Sequence, residues 1–285
     1  MNPEAATNQL IDMALAEDLG GGDVTVECFV PDDARCRARI VCRQEWAVVA
    51  GAEIARDVFL RLDPDLEIGI ETPTGMKVAR GDEVLAVSGK TRAVLSGERT
   101  ALNFLQRLSG TATLTREYVD AIAGTRARIL DTRKTTPGWR FLEKAAVRAG
   151  GGVNHRMGLY DMAMVKDNHL AAGAWLAELQ EGIDRIRKGY AGVRVELEAD
   201  TLGQVDAFMR LDGVDVILLD NMSCEEMRRA VERVAGRIEL EASGGVNLAT
   251  VAGIAATGVD FISVGALTHS APAVDFSMEV EEEGA

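Results

Sequence analysis

Arg133, Lys134, His155, Arg156 and Lys166 gather cationic side chains into one stretch of a 285-residue chain whose formal net charge is −14. Forked guanidinium groups suit carboxylates and phosphates, and Lys adds a point charge. In an acidic chain such a cluster points to an anionic ligand, while the overall charge disfavours nucleic acid and anionic membrane as partners. Carboxylates follow at Glu196, Glu198, Asp220 and Glu241. Oxygens of this kind hold a hard cation or sugar hydroxyls, and they stabilise positive charge that develops during a reaction. Ser243-Gly244-Gly245 offers backbone N–H groups with no Cβ in the way, a shape able to cradle phosphate. Arg99 stands apart from these. Ser96 reads as a helix N-cap, which places Arg99 in the first turn, where the helix dipole disfavours a cation. That hints at something else holding it there.

These residues do chemistry only if the chain brings them together. From about residue 125 the apolar pattern alternates between strand and helix, the signature of parallel βα units. Strands are expected at Ala127–Asp131, Met162–Lys166, Val193–Glu198, Val214–Asp220, Ile238–Ser243 and Phe261–Gly265. Helices Leu176–Lys188, Leu202–Leu211 and Cys224–Ala235 lie between several of them. Such a series predicts a closed or nearly closed α/β barrel, smaller than the usual eight-fold one. A doubly wound sheet fits less well, because no Gly-x-Gly-x-x-Gly follows a strand.

In parallel α/β proteins ligands bind where the strands end. Here the ends read Asp131-Thr132-Arg133-Lys134, Lys166-Asp167-Asn168-His169, Glu196-Leu197-Glu198, Asp220-Asn221 and Glu241-Ala242-Ser243-Gly244-Gly245, then Gly265 with His269 beyond. One polar end is an ordinary solvated loop. Several together, cations from some strands and carboxylates from others, predict a site. Alternation puts Glu196 and Glu198 on one face and Val195 and Leu197 on the other; likewise Glu239, Glu241 and Ser243 oppose Leu240 and Ala242. Which of Glu196 and Glu198 faces a ligand stays open. Gly150-Gly151-Gly152 reads as a tight turn.

The first hundred residues differ. A short helix at Leu10–Leu19, closed by Gly20-Gly21-Gly22, precedes strands at Cys36–Cys42, Trp46–Ala50, Leu66–Glu71 and Glu83–Ser88, with a helix at Ala52–Leu62. This predicts a small α+β domain with a mostly antiparallel sheet. The run Glu279–Glu283 reads as an acidic tail.

Cys28, Cys36, Cys42 and Cys224 form no Cys-x-x-Cys pair, which argues against zinc and a disulfide framework. His155, His169 and His269 are too scattered to mark a metal site by spacing. No apolar stretch approaches the roughly 18 residues of a membrane span. The start, Met1-Asn2-Pro3-Glu4, lacks a basic n-region, so a cytoplasmic location is expected.

Longer motifs carry a resemblance. Leu95-Ser96-Gly97-Glu98-Arg99-Thr100-Ala101-Leu102-Asn103-Phe104, Asp131-Thr132-Arg133-Lys134-Thr135-Thr136-Pro137-Gly138, Gly150–Leu159 and Val165–His169 resemble the quinolinate phosphoribosyltransferase family. Leu218-Leu219-Asp220-Asn221, Glu241–Gly245 and Val264–Ser270 complete the set in the family's order. The resemblance implies an N-terminal α/β sandwich domain and an incomplete, six- to seven-stranded, TIM-like α/β barrel. The domains would span 1–107 and 108–274, with the tail 275–285 packing back on the first. It implies quinolinate and phosphoribosyl pyrophosphate as substrates, Mg2+ and no organic cofactor. It also implies a homodimer or higher homo-oligomer in which Arg99 reaches the neighbour's barrel.

By the same resemblance Arg133, His155, Arg156 and Arg99 surround the quinolinate carboxylates, and Lys134 and Lys166 meet phosphate and pyrophosphate. Glu198 and Asp220 hold ribose hydroxyls and magnesium, while Ser243, Gly244, Gly245 and Gly265 line the 5′-phosphate pocket, with Thr132 and His269 also at the substrates. A pyrophosphorylase-like protein of molybdenum-transport operons, an enzyme using free nicotinate and a non-catalytic anion binder are the alternatives. The dense cation group and the carboxylates on the same rim favour the quinolinate enzyme.

Overall fold

A computed structural model describes residues 2–165 and 175–282. Its elements begin with α1 (Pro3–Leu19), α2 (Val24–Phe29), β1 (Arg35–Cys42), β2 (Trp46–Val48), α3 (Ala52–Leu62), β3 (Glu67–Ile70), β4 (Lys77–Ala79), β5 (Glu83–Lys90) and α4 (Thr91–Ala121). There follow β6 (Arg128–Leu130), α5 (Arg140–Ala149), β7 (Met162–Val165), α6 (Trp175–Gly189), β8 (Arg194–Ala199), α7 (Leu202–Phe208) and β9 (Val216–Asp220). The last are α8 (Cys224–Val234), β10 (Glu239–Ser243), α9 (Val251–Ala255), β11 (Phe261–Ser263), α10 (Ala266–His269) and β12 (Phe276–Glu282). The chain divides into two units, one of Met1–Arg116, Thr135–Gly151 and Leu267–Ala285, the other of Glu117–Lys134 and Gly152–Ala266.

In the first unit an antiparallel sheet, in the order β12-β1-β5-β3, and the helices share one apolar cluster. Ile11 of α1, Ile40 of β1, Phe59 of α3, Leu85 of β5 and Leu102 and Leu105 of α4 all belong to it. Helix α1 begins before the apolar periodicity does. Pro3 opens it, and the Asn2 side chain accepts the Glu4 N–H at 3.1 Å, so the start lies in capping chemistry.

Helix α4 corrects an expectation. It runs through Ser96-Gly97 without a break, so Ser96 is no N-cap, and its hydroxyl instead donates to Asp23 Oδ2 at 3.0 Å. Gly97 is a packing residue, for a Cβ there would meet the Phe59 ring at 2.7 Å. Arg99 therefore lies well inside the helix, exposed, and the dipole argument for it lapses. The acidic run at the C-terminus is likewise more than a tail. Strand β12 pairs antiparallel with β1 in a register that sets Arg39 opposite Glu279 and Arg37 opposite Glu281.

In the second unit six strands form a parallel sheet in the order β6-β11-β10-β9-β8-β7. A single parallel bridge, Leu130 to Val153, extends it beyond β6. Among the described residues β6 and β7 do not pair, so the barrel is incomplete. Helices α7 and α8 start in full capping boxes, Thr201 with Gln204 and Ser223 with Glu226, which end the loops that follow β8 and β9.

Register decides which side chains share the inner face. Glu198 stands beside Leu218, Leu218 beside Glu241, Asp220 beside Ser243, and Glu241 beside Phe261. With a period of two, Glu196, Glu198, Asp220, Glu241, Ser243 and Ser263 all project to one face. The apolar residues Val195, Leu197, Ile217, Leu219, Leu240, Ala242 and Ile262 take the other, and all are buried.

Candidate active site

The site in the second unit begins with Asp131, fully buried just beyond β6. Its carboxylate accepts the Asn154 amide N–H at 2.5 Å and the His155 backbone N–H at 2.9 Å. A segment without regular structure is thereby pinned to the first strand. Asp161 pins its far side, accepting the backbone N–H groups of Met157 at 2.6 Å and Gly158 at 2.9 Å. Between these anchors lie His155 and Arg156. The Arg156 guanidinium donates to the Met162 carbonyl at 3.2 Å, while its backbone N–H donates to His155 Nδ1 at 2.7 Å.

Two cations meet here. Burial lowers the proton affinity of Arg156, and the neighbouring Arg133 guanidinium lowers it further, against the pull of Glu196 and Asp161. Like charges held together in this way favour a site for a ligand of opposite charge. Thr132 shapes the same loop, since its hydroxyl oxygen accepts the Lys134 N–H at 3.0 Å and leaves the Lys134 side chain exposed.

Behind the cations lies a buried group of three. His155 Nε2 lies 3.1 Å from Glu196 Oε2 and 3.4 Å from Glu241 Oε2, aligned with neither, and the Ser263 hydroxyl donates to the other Glu241 oxygen. Burial pulls the His155 proton affinity down, but hydrogen bonding and charge from the two glutamates outweigh it and push the ring up to about 10. Burial also raises Glu196, helped by the charge of Glu241 and opposed by His155. The protonation of His155 and that of Glu196 each depend on the other.

The carboxylates nearer the strand ends are placed differently. Glu198 is buried with a small exposed edge at 8%, whereas Glu196, one turn of the pleat deeper, has none. Asp220 is half-buried and accepts the Asn221 side-chain N–H at 2.6 Å. Asn221 adopts φ 52° and donates its backbone N–H to the Ser243 carbonyl at 2.9 Å, tying the end of β9 to that of β10. Gly244 has φ 94°, and a Cβ there would lie 2.1 Å from Asn221 Oδ1. Only glycine fits this turn without displacing Asn221.

Of the residues singled out in the sequence, Thr132, Arg133, Lys134, His155, Arg156, Glu198, Asp220, Ser243, Gly244, Gly245 and Gly265 belong to the second unit. Arg99, on α4, and His269, exposed with Nδ1 2.6 Å from the Ser270 hydroxyl, belong to the first. Lys166 lies outside the described residues, as does the rest of its motif through His169. Sequence reasoning did not single out the anchoring task of Asp131, the wedge at Asn221 or the Ser263 hydroxyl. Only Ser263 left a signal, its place one alternation beyond Phe261 on the inner face.

Comparison with known proteins gives this geometry a family. Residues 23–109 match the model of the quinolinate phosphoribosyl transferase N-terminal domain and residues 111–279 that of the C-terminal domain. A probable carboxylating nicotinate-nucleotide pyrophosphorylase of Bacillus subtilis is 41% identical over 274 residues, covering 95% of this chain and 92% of that protein. A decarboxylating quinolinate phosphoribosyltransferase of Nicotiana tabacum is 39% identical over 96% of this chain and 82% of its own length. The solved nicotinate-nucleotide pyrophosphorylase of Francisella tularensis superposes with a TM-score of 0.91 at 35% identity, covering 99% of this chain and 98% of that one. With both domain models matched in order along nearly the whole sequence, the chain belongs to the quinolinate phosphoribosyltransferase family.

Proposed function

We propose that this chain converts quinolinate and phosphoribosyl pyrophosphate into nicotinate mononucleotide, carbon dioxide and pyrophosphate, a step of de novo NAD biosynthesis. The observation that carries the reading is the arginine pair Arg133 and Arg156 in the same unit as the inward carboxylates Glu198 and Asp220. A dicarboxylate needs the first set, and a ribose that becomes cationic needs the second.

In this reading Arg133 and Arg156 take the quinolinate carboxylates, with His155 beside them and Arg99 arriving from a second copy of the chain in a homodimer or larger homo-oligomer. Lys134 and Lys166 meet phosphate and pyrophosphate oxygens. The Ser243-Gly244-Gly245 turn and Gly265 cradle the 5′-phosphate, and Thr132 and His269 complete the substrate contacts. Glu198, with its exposed edge, suits the ribose better than the fully enclosed Glu196.

Glu198 and Asp220 are hard oxygen donors on one face at adjacent strand ends, a set that fits magnesium. When bound, magnesium neutralises charge on the departing pyrophosphate. The pyridine nitrogen attacks C1′ as the bond to pyrophosphate breaks, the electron pair leaving on pyrophosphate oxygen. The Glu198 and Asp220 carboxylates stabilise the positive ribose between these events. The bond from C2 of the ring to its carboxylate then breaks. Its electron pair stays on the ring, where the cationic nitrogen stabilises it, a solvent proton replaces the lost group, and carbon dioxide departs. The four thiols, none in a disulfide, fit a reducing cytoplasmic compartment. No helix among the described residues is long and apolar enough to cross a membrane.

The test is to incubate the purified protein with magnesium, phosphoribosyl pyrophosphate and quinolinate, and to follow nicotinate mononucleotide and carbon dioxide together. Magnesium-dependent formation of both, with nicotinate failing to replace quinolinate, is the expected result. A folded sample that forms neither overturns the assignment of quinolinate.

A further inference from the structure

Asp220 ends β9 half-buried, and among the described residues a single group hydrogen-bonds its carboxylate, the Asn221 side-chain N–H at 2.6 Å from Oδ2. That partner is the next residue in the chain, which a regular strand does not permit. Successive side chains along a strand point to opposite faces, so neighbours do not meet. The backbone of Asn221 breaks the pattern. At φ 52° it is left-handed, a conformation that costs residues with a Cβ and that asparagine tolerates better than most. The chain turns there, and the amide reaches back to Asp220.

The neighbouring strand end makes room for this amide. The Asn221 backbone N–H donates to the Ser243 carbonyl at 2.9 Å, which seats the residue against the turn after β10. In that turn Gly244 has φ 94°, and a Cβ on it would lie 2.1 Å from Asn221 Oδ1 and 2.5 Å from its Cγ. Two left-handed residues at adjacent strand ends thus coincide at one side chain. A turn alone does not call for that, because glycine at 221 would adopt φ 52° without strain. What asparagine adds is a donor. A carboxylate accepts and does not donate, so the amide presents its N–H to Asp220. Among the described residues Oδ2 is held in this way and Oδ1 is left to a ligand.

We propose that Asn221 is a positioning residue, whose amide N–H holds Asp220 Oδ2 so that Oδ1 is set for the ribose of phosphoribosyl pyrophosphate, and that Gly244 is a glycine in order to admit this amide. The hold stands on the hydrogen bonds and the two left-handed residues; its link to catalysis rests on the proposed use of Asp220 at the ribose. Asn221 acts through Asp220. A loose Asp220 would have to be ordered each time the substrate binds, at a cost to affinity and rate.

Two replacements separate the turn from the donor. Asn221→Gly keeps the left-handed backbone and removes the amide. Asn221→Asp keeps the shape and puts an acceptor, with a second negative charge, beside Asp220. The expected result is that kcat/KM for phosphoribosyl pyrophosphate falls about 10-fold in N221G and about 100-fold in N221D. KM for quinolinate should stay within about twofold in both, and the unfolding midpoints within about 3 °C of wild type. Wild-type kcat/KM in either variant would overturn the hold. So would an equal rise in KM for quinolinate, or a loss that only follows the folded fraction.

The second arm reads binding without turnover. Ribose 5-phosphate carries the hydroxyls and the phosphate but no leaving group. Titration calorimetry on the full-length protein should show N221G binding it about tenfold more weakly than wild type, while inorganic phosphate binds both within about twofold. Equal affinity of the two proteins for ribose 5-phosphate, or an equal loss for both ligands, would refute the hold. A wild type that binds ribose 5-phosphate no better than phosphate would refute its link to the ribose. This arm needs no quinolinate, so its failure and that of the proposed function are told apart.

Discussion

The two units bury different things. In the first, the interior is an apolar cluster drawn from helices and sheet, and several ion pairs lie at the surface, Arg39 with Glu279 and Glu281 and Arg43 with Glu279 among them. Among the described residues its few buried charges are Asp63, Glu143 and Lys144. In the second unit Asp131, Glu196, Glu198 and Glu241 are all buried, and among the described residues no Lys or Arg of that unit is buried with them. Burying a carboxylate costs several kcal/mol of solvation before any partner repays it. A barrel built only for stability would fill these inward positions with Val, Ile or Leu. The contrast teaches that the first unit's interior answers to packing, and that the second unit's inner face carries carboxylates that packing alone does not call for.

The sharpest way to break that comparison is Glu198→Gln. The amide keeps the shape and removes the charge. If Glu198 serves a cationic ribose, kcat should fall about 100-fold or more, the size seen when one preorganised electrostatic group is removed. Unfolding free energy should stay within about 1 kcal/mol or rise, because a buried charge has been neutralised. Steady-state kinetics and denaturant unfolding on the same preparation check both. A stability loss that accounts for the activity loss would make Glu198 a structural residue, and the two units would then differ less than argued.

A pair of glycines sharpens the same contrast at smaller amplitude. In the first unit a Cβ on Gly110 would lie 2.0 Å from the Pro272 carbonyl oxygen and 3.2 Å from the Ala273 Cα, backbone atoms that cannot swing aside. Gly110→Ala should cost about 2–3 kcal/mol of stability, with little change in the kcat/KM of the folded fraction. In the second unit Gly244→Ala collides with a side chain, Asn221, in a turn at φ 94°. It should cost about 1–2 kcal/mol of backbone strain but lower kcat/KM for phosphoribosyl pyrophosphate about tenfold, since the displaced Asn221 orients Asp220. Thermal unfolding and kinetics side by side distinguish the two. Matching profiles for the two variants would remove the distinction.

How much of this was legible in the sequence follows from range. Helix α3 matches its expected span, and the barrel strands lie within a few residues of their expected places, because period-two and period-3.6 patterns are local. The start of α4 was hidden because Gly97 resembles a helix boundary, and its reason, the Phe59 ring, is remote in sequence. Strand β12 was hidden because the charge of Glu279 and Glu281 masks the alternation of Phe276, Met278 and Val280; the arginines opposite are visible only once β1 is paired. The site divides in the same way. Cations and carboxylates at strand ends announce themselves by type and place. The anchoring of His155 by Asp131, the hold of Ser263 on Glu241 and the wedge of Asn221 against Gly244 are contacts across strands, and no spacing encodes them.

The smallest effect tests the other side of the comparison, that charges in the first unit are of little consequence to its fold. Arg39 and Glu279 face each other on adjacent strands at 3.2 Å, with side chains 45% and 38% exposed. Arg39 also reaches Glu281, and Glu279 also receives Arg43, so the pair belongs to a small surface network. Pairs this wet gain modest Coulomb energy and lose side-chain entropy. A double-mutant cycle of Arg39→Ala and Glu279→Ala should give a coupling of about 0.2–1 kcal/mol at low salt, fading toward zero near 1 M salt, where the screening length is about 3 Å. Kinetic constants of both single variants should stay within about twofold of wild type. A coupling well above 1 kcal/mol that survives high salt would show that β12 is held to β1 by charge more than by Phe276 and its backbone ladder, and that the first unit, too, relies on charges for its architecture.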